Sequence, residues 1–313
     1  MKVQDIYKLA VELGIKNDFR SREHIKKHLK RVKEKFEKMG EKEKAEFDQD
    51  KLWNPYSDGR VHFDSGKPVK KILAGIDIGT GEVLLADRLG GIDLILGHHP
   101  LGKGLACLDE VMHLQADVLE LYGVPINIAE GVLKPRISEI SRKTSPANVN
   151  QSIDAAKLLK ISIMNIHTPV DNMVANFLRK KITMRKFDYV SDVLDMLKVI
   201  PEYKEAVWYG QGPRLFAGHK DNRCGKIALT EITGGTEGSP KIYKHMAAAG
   251  IGTIIGMHLS EEHKEAAEKA HLNVIIAGHI SSDNIGMNLF LDELEKKGIE
   301  IATCSGITRV KRK

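Results

Sequence analysis

The chain has 313 residues, 42% of them hydrophobic and 5% aromatic, enough for the core of one large or two ordinary α/β domains. No apolar run approaches the ~20 residues that a bilayer-spanning helix needs, so no membrane span is expected. The net charge of +6 and a sequence pI near 9 suit an anionic partner, such as nucleic acid or a nucleotide.

The start, Met1-Lys2-Val3-Gln4-Asp5, has no apolar core followed by a small-residue cleavage site, and no signal peptide is expected. Cys107, Cys224 and Cys304 are odd in number and lack Cys-x-x-Cys spacing. They read as free thiols of a cytoplasmic protein. Residues 1 to about 50 read as helices. Ile6, Leu9, Ala10 and Leu13 form one apolar stripe before Gly14, and Ile25, Leu29, Val32 and Phe36 form a second before Gly40. Basic residues gather from Arg20 to Lys38 and again in Arg309-Val310-Lys311-Arg312-Lys313. Glu23, Glu34, Glu37, Glu41 and Glu43 interleave with the first group, which reads as a solvated helix face before a nucleic-acid surface. Leu52 to Gly59, with Asn54-Pro55 and Ser57-Asp58-Gly59, is a turn-rich loop.

From Val69 strands and helices alternate, the pattern of a mainly parallel sheet. Lys71 to Ile76 is a strand. Ala74-Gly75-Ile76-Asp77-Ile78-Gly79-Thr80 resembles the phosphate-binding start of actin-like ATPases, where a second hairpin strand follows at once. Here Glu82 to Leu89 has helix-forming character instead, which argues against an ATP site. Ile92 to Leu96 is the next strand, ending in Gly97-His98-His99-Pro100. Leu108, Val111, Met112, Gln115, Leu119 and Tyr122 lie at helical spacing and stop at Gly123. Val124 to Ala129 reads as a strand and Ile153 to Leu159 as a helix. Ile161 to Ile166 is a strand that empties into His167-Thr168-Pro169-Val170-Asp171-Asn172.

After a charged connector holding the amphipathic helix Val190 to Leu197, the same grammar returns. Lys226 to Thr230 is a strand and Lys241 to Ala249 a helix. Between them Gly234, Gly235 and Thr236 form a loop suited either to an anion or to a plain tight turn. Gly252 to Met257 is a strand followed by His258, and Glu261 to His271 is a helix. Asn273 to Gly278 leads into His279-Ile280-Ser281-Ser282-Asp283. Ser282 is expected to cap a helix running to Lys297, with Asp283 in its first turn. The predicted fold class is α/β: two similar halves with mainly parallel sheets, plus an N-terminal helical extension. The units are 1–68, the helices and loop; 69–171, the first half; 172–222, the connector; and 223–313, the second half.

Each of three strands thus ends where His or Asp follows at once. In open α/β sheets the carboxyl ends of the strands share one edge, where ligands bind. His98, His99, Asp171, His279 and Asp283 can meet there. Neutral imidazoles with carboxylates suit a metal. His167 and His258 stand close enough in sequence to act behind the ligands or toward a substrate.

Gly91-Ile92-Asp93-Leu94-Ile95-Leu96-Gly97-His98-His99-Pro100, His167-Thr168-Pro169-Val170-Asp171-Asn172 and Gly278-His279-Ile280-Ser281-Ser282-Asp283 resemble, in order, the signature of the Nif-three-like dinuclear-metal family. Some members of that family carry a GTP-cyclohydrolase-type label. The resemblance runs from Asn54-Pro55-Tyr56 onward and includes Thr233-Gly234-Gly235-Thr236. It implies two metal ions in a cleft between similar halves, and a toroidal homohexamer. It also implies that His98, His99, Asp171, His279 and Asp283 are the ligands. The family's last ligand is usually Glu; Asp283 keeps the charge and is one methylene shorter.

Five side chains cannot fill two coordination spheres, so positions remain for water. Zinc, iron, manganese, cobalt or nickel would suit these donors, and paired ions ~3.5–4 Å apart would share a water acidic enough to be a nucleophile at neutral pH. The expected activity is metal-dependent hydrolysis of an anionic phosphate ester or nucleotide-type substrate. The alternative is a non-catalytic, metal-stabilised oligomeric scaffold or protein-interaction module.

Overall fold

A computed structural model describes residues 1–312. The chain opens with α1 (Val3–Asn17), α2 (Arg22–Glu37) and α3 (Glu41–Glu46), followed by β1 (Arg60–Phe63) and β2 (Lys71–Gly75). Next come α4 (Thr80–Leu89), β3 (Leu94–Gly97), α5 (Gly102–Ala106), α6 (Leu108–Val111) and α7 (His113–Leu121). The first half closes with α8 (Ile126–Thr144), α9 (Gln151–Leu159), β4 (Ser162–Asn165) and α10 (Thr168–Thr183). Then follow α11 (Val190–Lys198), α12 (Pro201–Trp208), β5 (Arg214–Ala217), β6 (Lys226–Glu231) and α13 (Tyr243–Ala248). The chain ends with β7 (Ile251–Gly256), α14 (Glu261–Lys269), β8 (Asn273–Ile276), α15 (His279–Glu295) and β9 (Glu300–Thr303).

The strands form two sheets, in the orders β1-β4-β3-β2-β9 and β5-β8-β7-β6. In each, three neighbouring strands are parallel and one edge strand is antiparallel: β1 on β4, β5 on β8. The halves are therefore alike strand for strand, β1 to β4 matching β5 to β8. The last strand, β9, returns to the first sheet and pairs in parallel with β2. Both sheets are buried because β2 to β4 and β6 to β8 are Ile-, Leu- and Val-rich, as parallel strands covered on both faces require.

Helices α10 and α15 follow the equivalent strands β4 and β8, and they pack on each other. Gly286 of α15 lies so close to α10 that a Cβ there would meet Val170 Cγ1 and the Val170 carbonyl oxygen, both at 2.6 Å. Gly286→Ala should therefore destabilise the protein although Ala is the better helix former: overpacking costs ~1–3 kcal/mol against the ~1 kcal/mol that propensity returns. A urea midpoint equal to or above wild type would show that the two helices do not approach this closely.

The N-terminal helix packs on the same pair. Val3, Ile6, Tyr7, Ala10 and Val11 of α1 are buried, and Gly14 abuts Pro169 of α10, 2.7 Å from a notional Cβ. Asp18, just past α1, accepts from Arg20 at 2.8 Å, from Tyr56 Oη at 2.9 Å and from Asn172 Nδ2 at 3.3 Å. Thr233 Oγ1 in turn donates to Asn172 Oδ1 at 2.7 Å. This buried chain of polar groups joins the N-terminal segment, α10 and the loop after β6. By contrast α2 fully buries only Ile25 and carries the pairs Glu23–Lys27 and Glu34–Lys30 outside. The basic tail folds back onto carboxylates: Arg309 pairs with Asp292 and Glu295, and Arg312 with Glu202.

Several local expectations need correction. Val124 to Ala129 is not a strand: Pro125 stands at the N-cap of α8, and Ala129, Leu133, Ile137 and Ile140 bury one face of that helix at a helical period. Ser282 does not cap the last long helix. That helix starts at His279 on Gly278, whose φ of 107° turns the chain out of β8, and Ser282 Oγ donates back to Gly278 O inside the helix. Asp283 consequently lies in the second turn. Helix α10 begins at Thr168 and runs unbroken through Asp171 and Asn172. The edge strands β1, β5 and β9 were not expected from the sequence. Among the described residues no helix is long and apolar enough to cross a membrane.

Candidate metal centre

The two long helices present the same motif to one place. His167 and Asp171 are four residues apart at the start of α10, with Nε2 and Oδ2 3.7 Å apart. His279 and Asp283 are four apart at the start of α15, with Nε2 and Oδ2 3.6 Å apart. One helical turn brings i and i+4 onto one face. The end of β3 supplies the remaining pair. His98 N–H donates to Gly75 O and His99 N–H to Ile76 O, which fixes the backbone of both histidines against the neighbouring strand end.

His98 is fully buried, and its Nε2 lies 3.4 Å from Asp171 Oδ1 and 3.4 Å from Asp283 Oδ1. It therefore stands between a carboxylate of each half. His99 Nε2 is 3.3 Å from Asp283 Oδ2. The imidazole atoms His98 Nε2 and His99 Nε2 and the carboxylate atoms Asp171 Oδ1, Asp283 Oδ1 and Asp283 Oδ2 are buried without a hydrogen-bond partner. Buried polar atoms are rarely left in that state, and these are metal-donor atoms. They fall into three overlapping groups with the geometry to hold an ion: His98, His99 and His167; His99, His279 and Asp283; His98, Asp171 and Asp283.

The rings are oriented from behind. His98 Nδ1 donates to Ile166 O at 3.1 Å, His99 Nδ1 to Asp77 Oδ1 at 2.6 Å, and His167 Nδ1 to Asp58 Oδ2 at 2.7 Å. A carbonyl or an ionised carboxylate can only accept, so in each ring the Nδ1 carries the proton and Nε2 turns toward the centre. Asp58 is fully buried and also accepts from Thr168 N and Oγ1 at 3.3 and 2.6 Å. Sequence reasoning missed Asp58 and Asp77 in this role. Asp77 had a signal, since it follows a strand end like the other site residues. Asp58 had none beyond its turn-forming neighbours.

The charges are coupled. Burial alone would push the His98 ring down, but Asp283 and Asp171 hold it well above its ordinary value. His167 is likewise raised, against its burial, by Asp171 and Asp58. Burial would raise Asp283, yet His98, His99 and His279 bring it far below the usual carboxylate range. His279 and His258 are lowered, chiefly by burial. In the metal-free protein a proton on His98 thus does the neutralising that a cation would do.

All five expected ligands come together, and His167 joins them with its Nδ1 held by a carboxylate, as in His99. His258 lies at the edge: its ring centroid is 5.2 Å from that of His279, and its Nδ1 is 4.0 Å from Glu237 Oε1. It occupies in the second half the place that His99 holds in the first, two residues past the glycine that ends the strand. The side chain of His279 is 40% exposed while Asp171 and Asp283 are 5% or less, so the centre opens toward His279 and His258. That opening is a cleft lined also by Glu231, Glu237 and the loop after β6. Gly234 and Gly235 hold φ values of 92° and pack against α6 and α7, and Gln115 Nε2 donates to Gly234 O and Thr236 O. The loop is pinned from behind and forms one wall of the cleft.

Several solved structures resemble the chain along most of its length. A NIF3 superfamily protein from Sphaerobacter thermophilus is 28% identical, with a TM-score of 0.75 over 82% of this chain and 94% of that one. Reduced HcgD from Methanocaldococcus jannaschii shares the fold at 18% identity, with a TM-score of 0.53 over 85% of this chain and 97% of that one. No family model matches the chain, and neither does any curated protein.

Proposed function

The chain belongs to the NIF3 superfamily, and from that premise we propose that it holds two divalent metal ions and hydrolyses a phosphate ester or nucleotide-type substrate. His98, His99, Asp171, His279 and Asp283 would hold the ions, with His167 beside them. The observation that carries this reading is the convergence of buried imidazole and carboxylate atoms that have no hydrogen-bond partner. When bound, divalent ions supply a water acidic enough to be a nucleophile near neutral pH and offset the substrate's negative charge.

The chain's own groups do the rest. Asp77, Asp58 and the Ile166 carbonyl keep the proton of their histidines on Nδ1 and leave Nε2 for the centre. The exposed edge of His279 marks the side from which a substrate enters. Without cations the cleft presents the carboxylates of Asp171, Asp283 and Glu237 on its walls. An anionic substrate is repelled from such a surface. Metal should therefore be required for substrate binding as well as for turnover.

One observation favours a second reading. Asp171 and Asp283 come from the two halves and meet on His98, so cations there would also staple the halves together in a non-catalytic scaffold. Elemental analysis of the purified protein, followed by a phosphoester and nucleotide screen with zinc, iron, manganese, cobalt and nickel, decides between them. The hydrolase reading expects about two ions per chain and a turnover that disappears on chelation. Bound metal with no turnover across the screen, and a lower melting temperature after chelation, would leave the scaffold.

A further inference from the structure

Glu231 breaks the likeness between the halves. In the first sheet the end of β2 pairs Gly75 with Gly97, and in the second the end of β6 pairs Glu231 with Gly256. A register shift after Ala228 brings Glu231, and not Thr230, opposite Gly256, where the first half has glycine. At Gly75 a Cβ would come 2.8 Å from Ile78 Cδ1, so the first half leaves no room for a side chain. Gly256, beside Glu231, leaves its Cβ free at 3.5 Å. The Glu231 side chain enters the cleft that Asp171, Asp283 and His279 line.

It does so with little support. Its one hydrogen bond is from Tyr243 Oη of α13, at 3.4 Å, and among the described residues it makes no ion pair. The charged groups that act on it are Glu237 of the following loop and Arg136 of α8, and His258 after β7 lines the same cleft. Glu237 already accepts from Ser260 N–H and faces His263 at 3.4 Å, while Arg136 is engaged by Glu139 and by the Glu237 carbonyl. Burial first, and then the like charge of Glu237, push the Glu231 carboxyl up to about 8. A half-buried carboxyl without a counterion is an unfavourable structural choice, and one that opens on a reactive centre can pass protons to it.

We propose that Glu231 is the proton donor to the leaving group in the hydrolysis catalysed at this centre, a role that rests on the hydrolase reading. The oxygen of a water bonds to phosphorus, and the bond from phosphorus to the leaving oxygen breaks. That oxygen takes the electron pair and the proton of the Glu231 carboxyl. The proton shed by the attacking water restores the carboxyl through solvent. One water is consumed and no other reactant is needed.

The test compares metal-loaded wild type and Glu231→Gln on phenyl phosphate, whose leaving oxygen needs a proton, and p-nitrophenyl phosphate, whose leaving oxygen hardly does. General-acid catalysis is worth ~10²–10⁴-fold, so kcat on phenyl phosphate should fall at least about 100-fold and that on p-nitrophenyl phosphate by less than about tenfold. Metal content should match wild type. Infrared difference titration should show a protonated carboxyl stretch that disappears near the pH at which Glu231 ionises and is missing from the variant. Equal losses on both substrates, or no loss, would overturn the role of Glu231 while leaving the hydrolase reading in place. So would active wild type without the carboxyl band. A metal-loaded wild type that turns over neither ester would remove the hydrolase reading and this role with it.

Discussion

Asp283→Asn is expected to lose metal after a dialysis that leaves wild type loaded. Asp283 is fully buried, its two oxygens have no hydrogen-bond donor, and they face His98 Nε2 at 3.4 Å and His99 Nε2 at 3.3 Å. Asn keeps the shape but removes the charge that would offset a dication and puts an NH₂ where a lone pair is needed. The loss should exceed the ~10–100-fold that follows from removing a group merely hydrogen-bonded to a ligand. Any hydrolysis should go with it. Asp283→Glu keeps the carboxylate with a longer reach and should retain metal with altered metal preference. The metal-free Asn variant should also melt earlier at mildly acidic pH, because His98 loses one of the two carboxylates that hold its proton. Metal stoichiometry of the three proteins after identical dialysis is the deciding measurement. Full occupancy in Asp283→Asn would remove Asp283 from the ligand set and call for another carboxylate.

The alternation of buried strands and helices was legible because β2, β3, β4, β7 and β8 are short apolar runs that end at turn residues. Their ends told more than their middles. His98, His167 and His279 each follow a strand at once, and parallel pairing brings those ends to one edge. The strands β1, β5 and β9 were not legible. Arg60-Val61-His62-Phe63, Arg214-Leu215-Phe216-Ala217 and Glu300-Ile301-Ala302-Thr303 are four-residue edge strands of mixed polarity, and only tertiary pairing selects their conformation. The start of α15 was misplaced because Ser282 has the chemistry of a cap, whereas the turn is made by Gly278. That error hid the repeat: with the helix beginning at His279, His279 and Asp283 stand on α15 as His167 and Asp171 stand on α10. Asp58 was illegible for another reason. Its hydrogen bond to His167 spans 109 residues of chain, and no local pattern records it.

The gap in melting temperature between metal-loaded and metal-free protein should widen as pH rises from about 7 to about 9, beyond the ordinary histidine range. The sign follows from the direction of each shift. His98 and His167 have folded values above their unfolded ones. Their stabilisation is fully present below ~6.5 and is lost as pH climbs through the folded values. Glu231, raised to about 8, acts in the same direction over the upper part of its range. Asp283 and Asp58 are depressed, so their contribution is lost only in acid, below ~3.9. His279 and His258, lowered chiefly by burial, disfavour folding in acid and have ceased to matter by about pH 7. Above the unfolded histidine value the metal-free protein therefore loses stability, because the unfolded chain sheds protons that the folded centre still holds. A centre that held metal through His98 Nε2 would have no proton there to lose. Each proton that metal displaces makes binding tighter by about tenfold per pH unit. Groups remote from the centre titrate alike in both forms and cancel from the difference. Calorimetry of both forms across this range, with metal buffered at constant free concentration, measures the gap. A gap that stays flat would mean that metal does not replace the protons of this cluster, and that the ions bind elsewhere on the chain.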